Sequence, residues 1–334
     1  MTEEQKTIER NKRRKSFKIR TATGALMALA VVGVLFIPAP AGVYIFQAAI
    51  AILAVVGAYE MINMFEHEKK FSLGAKICTL ALVLLLVLNV DVYSKDAYAS
   101  LVQAENGFDI RGVIDYLPLL IATTIVIISL TVFDKNYDGR DAGKSLLVIF
   151  YVGLGMTAIL MLRLWGVKFI VYGILISTLT DIFAYLVGSA IGKHKMAPSI
   201  SPKKSWEGAI AGTIIATGVA SCFALFYGDL FQVGTAIGSI FNKTGQQSLL
   251  DSFDAMKGLS LGKQALVIIP VTFLGAIVSQ IGDLIASRFK RTYDIKDFGK
   301  IFPGHGGVMD RLDSIVFLSM FLVTVFLIFS HLQA

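Results

Sequence analysis

The chain has 334 residues, of which 55% are hydrophobic and only 16% charged, with a mean hydropathy of +0.69. A water-soluble domain carries about 25% charged residues, so a soluble enzyme is excluded and lipid is the solvent for most of the chain. The net charge of +7 would suit a nucleic-acid binder, but its distribution has another explanation, given below.

Residues 1–20 form a basic polar tail containing Lys12-Arg13-Arg14-Lys15. No cleavable signal peptide is evident, because the first apolar run continues into a second without an A-x-A-type site. Apolar runs follow at roughly 21–38, 42–64, 73–91, 116–133, 145–162, 169–191, 208–228, 264–285 and 312–330. A spanning helix needs about 20 mostly apolar residues, so these runs predict an all-α polytopic membrane protein of about nine transmembrane helices. Pro38-Ala39-Pro40 reads as a tight turn at the bilayer surface. Segment 229–263 is expected to hold a short amphipathic helix. The organisation is a tail (1–20), a region of five helices (21–166) and a catalytic region of four helices with two polar loops (167–334). Cys78 and Cys222 lie in separate apolar runs, without CxxC or metal spacing, and read as small buried apolar side chains.

Nine helices put residues 1–20, 65–76, 134–144, 192–207 and 286–311 on one side, where they hold 24 of the 31 Lys and Arg. Basic loops stay inside, so this side is assigned to the cytoplasm, with the amino terminus inside and the carboxyl terminus outside. The basic excess is then a topology signal that also suits anionic headgroups, and nucleic acid is not needed to explain it.

Charges inside a spanning segment cost about 2.5–3.5 kcal/mol near its centre, and those the sequence singles out lie in the second half of the chain. Asp181 lies in the sixth run, with Tyr185 on the same helix face. Gln280, Asp283 and Ser287 share a face at the cytoplasmic end of the eighth run. Asp310, Asp313 and Ser314 open the ninth. The last two runs form an antiparallel pair, which can bring Asp283 and Asp310 to one depth. Facing carboxylates repel unless a cation joins them, and oxygen ligands favour Mg²⁺ over Zn²⁺, with a second cation left open. The alternative is an ion pair of Asp310 or Asp313 with Arg288 or Arg311.

The intervening loop carries Ser287, Lys290, Arg291 and Lys296, then Pro303-Gly304-His305-Gly306-Gly307, then Arg311. Glycines 304, 306 and 307 permit close backbone approach to phosphate oxygens, and the basic groups neutralise phosphate charge. His305 reads either as a turn-stabilising donor or as a chemical group. A second loop, Ser199 to Gly208, offers a Ser201-Pro202 turn whose N–H groups could face an anion. Lys203 and Lys204 then read as phosphate ligands or as a solvated basic loop, and Trp206 as an interfacial anchor.

These residues together resemble the phosphatidate cytidylyltransferases, the CDP-diacylglycerol synthases. The family signature S-x-[apolar]-K-R-x4-K-D-x-[small]-x2-[apolar]-P-x-H-G-G-[apolar]-x-D-R-[apolar]-D is matched at every specified position by Ser287 to Asp313. The D-x-x-A-Y element (Asp181 to Tyr185), the S-P-K-K-S-W-E-G element (Ser201 to Gly208) and the Q-x-G-D element (Gln280 to Asp283) appear in order. The first five helices match only in being apolar. Ala286 departs from the Glu that members often carry there, leaving its role unfilled or moved to Glu207.

The resemblance implies that CTP and phosphatidic acid give CDP-diacylglycerol and pyrophosphate, in a multi-pass protein of the inner or plasma membrane with its active site facing the cytoplasm. It implies Asp283 and Asp310 as Mg²⁺ ligands, with Asp313 and Asp181 as second candidates. Lys203, Lys204, Lys290, Arg291 and Arg311 would hold phosphates. A phosphate oxygen is already anionic, so His305 is scarcely needed as a base. Phosphatidate would arrive sideways from the bilayer and CTP from the cytoplasm. Other classes weighed are a polyprenol kinase, an ion-coupled transporter and a CDP-alcohol phosphatidyltransferase, to whose pattern Asp138-Gly139-Arg140-Asp141 is only superficially alike. Gly188-x3-Gly192 and Gly208-x3-Gly212 suit close helix packing, within one chain or across a homodimer.

Overall fold

A backbone in hydrocarbon must satisfy its own N–H and C=O groups, so an apolar run of spanning length folds as a helix. The computed structural model of the chain describes residues 23–27, 29–35, 37, 41–90, 116–235, 238–242, 245–253 and 256–331. Within them, six helices are long and apolar enough to cross a membrane, and three shorter apolar helices accompany them. In chain order they are α1 (Thr23–Leu35), α2 (Ala41–Phe65), α3 (Leu73–Leu88), α4 (Tyr116–Phe133), α5 (Gly139–Trp165), α6 (Val167–Ile191), α7 (Trp206–Leu225), α8 (Leu261–Thr292) and α9 (Met309–His331). The all-α polytopic class is therefore observed, with one unforeseen addition. Residues before α7 form an antiparallel hairpin of β1 (Lys195–Ala197) and β2 (Ser201–Ser205). The basic tail 1–20, the Pro38-Ala39-Pro40 turn and segment 91–115 lie outside the described residues.

Local capping explains where the helices differ from the apolar runs. The fifth begins at Gly139, ahead of its apolar run, because Asp138 accepts from Arg140 N at 2.7 Å and Asp141 N at 3.1 Å, while Asp141 accepts from Asp138 N at 3.1 Å. This reciprocal box satisfies donors the first turn would otherwise orphan. The Asp141 amide, together with the Lys69 ammonium 3.1 Å away, holds the Asp138 carboxyl below the usual carboxylate range. The eighth helix continues to Thr292, so Ser287, Lys290 and Arg291 stand on helix rather than in a loop. Segment 229–263 holds short helical turns at Gly238–Phe241 and Leu250–Ser252 instead of one amphipathic helix.

Helices α6 and α7 lie closest together. A Cβ on Gly208 would stand 2.4 Å from Ala184 O, and one on Gly212 2.5 Å from Thr180 O. The small-residue spacing thus works inside one chain and need not serve a homodimer. Ser205, buried at the hairpin's end, caps α7 by accepting from Gly208 N at 3.3 Å. Ser205→Ala is expected to lower stability by about 1 kcal/mol, read as a reduced unfolding temperature in detergent. Polar side chains join the buried faces: Tyr172 meets Thr272 at 2.7 Å, and Gln280 donates to Thr213 at 2.8 Å.

The two ends of the bundle separate as the basic residues suggested. At one end Phe65 meets Tyr293 edge-on at 5.2 Å, Thr23 bonds Pro303 O at 3.3 Å, and Arg291 Nε donates to Ile200 O at 3.3 Å. At the other, Arg163 donates to Leu35 O and Ile37 O at 3.3 Å each, and Lys168 bonds Gln246 and Ser252.

Candidate active site

The basic end gathers the singled-out residues onto the last turns of α8, the start of α9 and the hairpin. Asp283 of α8 pairs with Lys204 of β2, both side chains being 25% exposed. Ser287, one turn further along α8, approaches Asp283 Oδ1 at 3.5 Å. One turn beyond that, Lys290 donates to Asp310 Oδ1 at 2.7 Å, with both residues buried. The expected alternative, an arginine partner for Asp310, is replaced by this lysine; Arg288 and Arg311 are exposed.

Asp310 also fixes the loop. Its Oδ2 accepts from Phe298 N at 2.8 Å and Gly307 N at 2.9 Å. Phe302 and Gly306 bridge across a tight turn in which Gly304 has φ 77° and Gly306 φ 87°. A Cβ at Gly306 would stand 2.8 Å from Asp310 Oδ2, so glycine is required there by both φ and space.

The acids converge. Asp283 repels both Asp181 of α6 and Asp313 of α9 electrostatically, and Ser314 bonds Asp181. Asp313 accepts from Ser314 N at 2.8 Å. Among the described residues no three acid, Cys or His side chains form a ready metal cage. Mg²⁺ commonly takes one or two carboxylates and completes its shell with substrate phosphate and water. Asp283, 25% exposed, suits that donor set, whereas both oxygens of Asp310 are already engaged by Lys290 and two loop amides.

Several expected site residues stand elsewhere. Glu207 turns to His194, accepting from its backbone N at 3.1 Å and meeting Nδ1 at 2.6 Å. Ala286 is fully buried. The His305 ring lies against Gly24 of α1, and its buried Nδ1 has no partner among the described residues. Ser201 begins strand β2 rather than a turn at a helix start. Lys203, Arg291, Lys296 and Arg311 are exposed on the same end as the acids.

One site residue escaped the sequence reading. Glu60 of α2 is 3% exposed and accepts from Val308 N and Met309 N, each at 3.0 Å, capping the start of α9. Gly299 and Gly307 make room for it: a Cβ on either would stand 2.1 and 2.3 Å from Glu60 Oε1. Two carboxylates, Glu60 and Asp310, therefore hold the glycine loop by its amides. The signal was present, a lone acid inside the second apolar run, where an ionisable residue is a functional candidate by default.

The fold and site define a multi-pass membrane protein with paired acids and lysines gathered at one end of the bundle. The family model for the cytidylyltransferase family matches residues 18–329, and the chain belongs to that family, a family of nucleotidyltransferases. It is 32% identical over 268 residues to the phosphatidate cytidylyltransferase of Staphylococcus haemolyticus (strain JCSC1435), covering 80% of this chain and 84% of that one. It is 29% identical over 304 residues to the protein of the same name from Staphylococcus epidermidis (strain ATCC 12228 / FDA PCI 1200), covering 90% and 95%.

Proposed function

We propose that the chain transfers the cytidylyl group of CTP to phosphatidic acid, giving CDP-diacylglycerol and pyrophosphate, at the cytoplasmic face of the cell membrane. A phosphate oxygen of the lipid attacks the α-phosphorus of CTP, the bond to the β-phosphate oxygen breaks, and pyrophosphate leaves. The observation that carries this reading is the Lys204–Asp283 pair, which joins the hairpin motif to the α8 motif in one site. The reaction needs little covalent help from protein, because both reactants arrive with their charges in place. Its demand is to position them and offset their repulsion.

Lys204 and Lys290 each neutralise an acid and lie where a polyphosphate could take over the ammonium. Lys203, Arg291, Lys296 and Arg311 add positive charge at the mouth. Ser201 and Ser287 offer hydroxyls to phosphate oxygens, whereas the Gly306 and Gly307 amides are already taken by Phe302 O and Asp310 and serve to shape the loop. Mg²⁺ held by Asp283, and by Asp310 once substrate phosphate takes over Lys290, would supply charge neutralisation on the triphosphate. Lipid access from the side is supported by the exposed strip Asp181, Ile182, Tyr185 and Leu186 along α6, which offers apolar contacts for acyl chains beside the acid cluster.

The test is pyrophosphate release by purified protein in mixed micelles. Release should require CTP, phosphatidate and Mg²⁺ together and should stop on chelation with EDTA. Release that persists without phosphatidate, or in EDTA, would contradict the reading. In the same assay Lys204→Ala should raise KM for CTP about tenfold, the scale of one lost charge-assisted contact.

A further inference from the structure

Helix α5 is not uniform. Between Gly139–Val148 and Gly155–Trp165, residues Ile149–Leu154 form a π-helical turn. Such turns are rare, occur mostly as single turns inside α-helices and are frequent at functional sites. Tyr151 belongs to this turn. Its ring packs 6.0 Å from Phe289 of α8 and 5.9 Å from Phe317 of α9. It thus fills the wedge between the two helices that carry the acids. The same turn is flanked by Gly155, where a Cβ would stand 2.3 Å from Val316 of α9.

The hydroxyl at the tip of this ring is unusual. Tyr151 is 5% exposed, and its OH has no hydrogen-bond partner among the described residues. Buried phenols normally find a partner. The charged groups within its electrostatic reach are Asp313 and Asp283. Asp313 Oδ1 already accepts from Ser314 N, and Asp283 is engaged by Lys204. A neutral donor is therefore held, without a ligand of its own, beside the acids around which substrate phosphate would gather.

We propose that the Tyr151 hydroxyl is a further substrate-binding group of this site, donating a hydrogen bond to a phosphate oxygen of the reacting pair. The inference rests on the phosphoryl chemistry proposed above and gives the amino-terminal helices a direct part in it. The phosphate belongs either to the nucleotide or to the lipid, and separate Michaelis constants distinguish them.

The experiment compares wild type, Tyr151→Phe and Thr157→Val. Phenylalanine keeps the ring between Phe289 and Phe317 and removes only the oxygen. Thr157, further along α5, also has a buried hydroxyl without a partner among the described residues, and serves as the control. Tyr151→Phe should lose about 10- to 100-fold in kcat/KM, the scale of one hydrogen bond to a charged group. Its unfolding temperature should be unchanged or raised, because an unsatisfied buried oxygen has been removed. Thr157→Val should keep wild-type turnover. A raised KM for phosphatidate assigns the lipid phosphate, and a raised KM for CTP assigns the triphosphate. Wild-type constants in Tyr151→Phe, or a loss of activity matched by a lower unfolding temperature, would overturn the proposal. Failure of the cytidylyl-transfer reading itself is read separately, as absent turnover in wild type.

Discussion

Asp283→Asn is expected to lower CTP-dependent pyrophosphate release by about a thousandfold, the scale of losing an electrostatic contact made in the transition state. Asp283 is the meeting point of the site: Lys204 reaches it from the hairpin, Ser287 from the next turn of α8, and Asp181 and Asp313 face it from α6 and α9. Asparagine preserves the volume and removes the charge that pairs with Lys204 and that we propose holds a cation. The effect on stability should be small, because the Lys204–Asp283 pair is 25% exposed on both sides and such partly solvated pairs contribute little. Loss of turnover with an unchanged unfolding temperature, by differential scanning fluorimetry, is the expected pair of results. Wild-type turnover in this variant would remove Asp283 from the mechanism.

The second large effect lies in a helix that carries none of the family motifs. Glu60→Ala would leave the N–H groups of Val308 and Met309, 2% and 0% exposed, without their acceptor. Each orphaned donor costs about 1–3 kcal/mol, a large share of ordinary folding stability. The start of α9 and the glycine loop should loosen together, so turnover and unfolding temperature should both fall. A double-mutant comparison identifies the contact itself. Gly299→Ala in the wild-type background puts a methyl 2.1 Å from Glu60 Oε1, and this clash should vanish when Glu60 is alanine. The two substitutions should therefore be strongly non-additive, as expected for residues in contact. Simple additivity of their effects on unfolding temperature would show that Glu60 does not occupy that space.

Much of the architecture was legible because lipid imposes it. The apolar runs gave helices in the right order, and the alternation of basic loops matched the two ends at which the described loops meet. The acids of α8 and α9 were legible for the same reason, since Asp283 and Asp310 stand where an apolar pattern is interrupted at cost. What was hidden depended on contacts between distant segments. Asp310 was expected to face Asp283 across a cation or to pair with an arginine. Its partners are Lys290 and two loop amides, because α8 runs on through Ser287 and brings Lys290 to the base of the loop. The hairpin before α7 was hidden because its strands are short and polar. Glu60 was visible as a charge in the wrong solvent, yet its partners, the Val308 and Met309 amides, reach it only because Gly299 and Gly307 leave room. The π turn at Tyr151 left no mark in the periodicity of an apolar run.

Which phosphorus of CTP is attacked separates a cytidylyltransferase from a kinase. The most direct measurement supplies phosphatidate with CTP radiolabelled at either the α- or the γ-phosphate, and follows the label into the lipid. Cytidylyl transfer puts α-label in the lipid product and γ-label only in released pyrophosphate, both dependent on Mg²⁺. Transfer of γ-label to the lipid would make the protein a lipid kinase and contradict cytidylyl transfer.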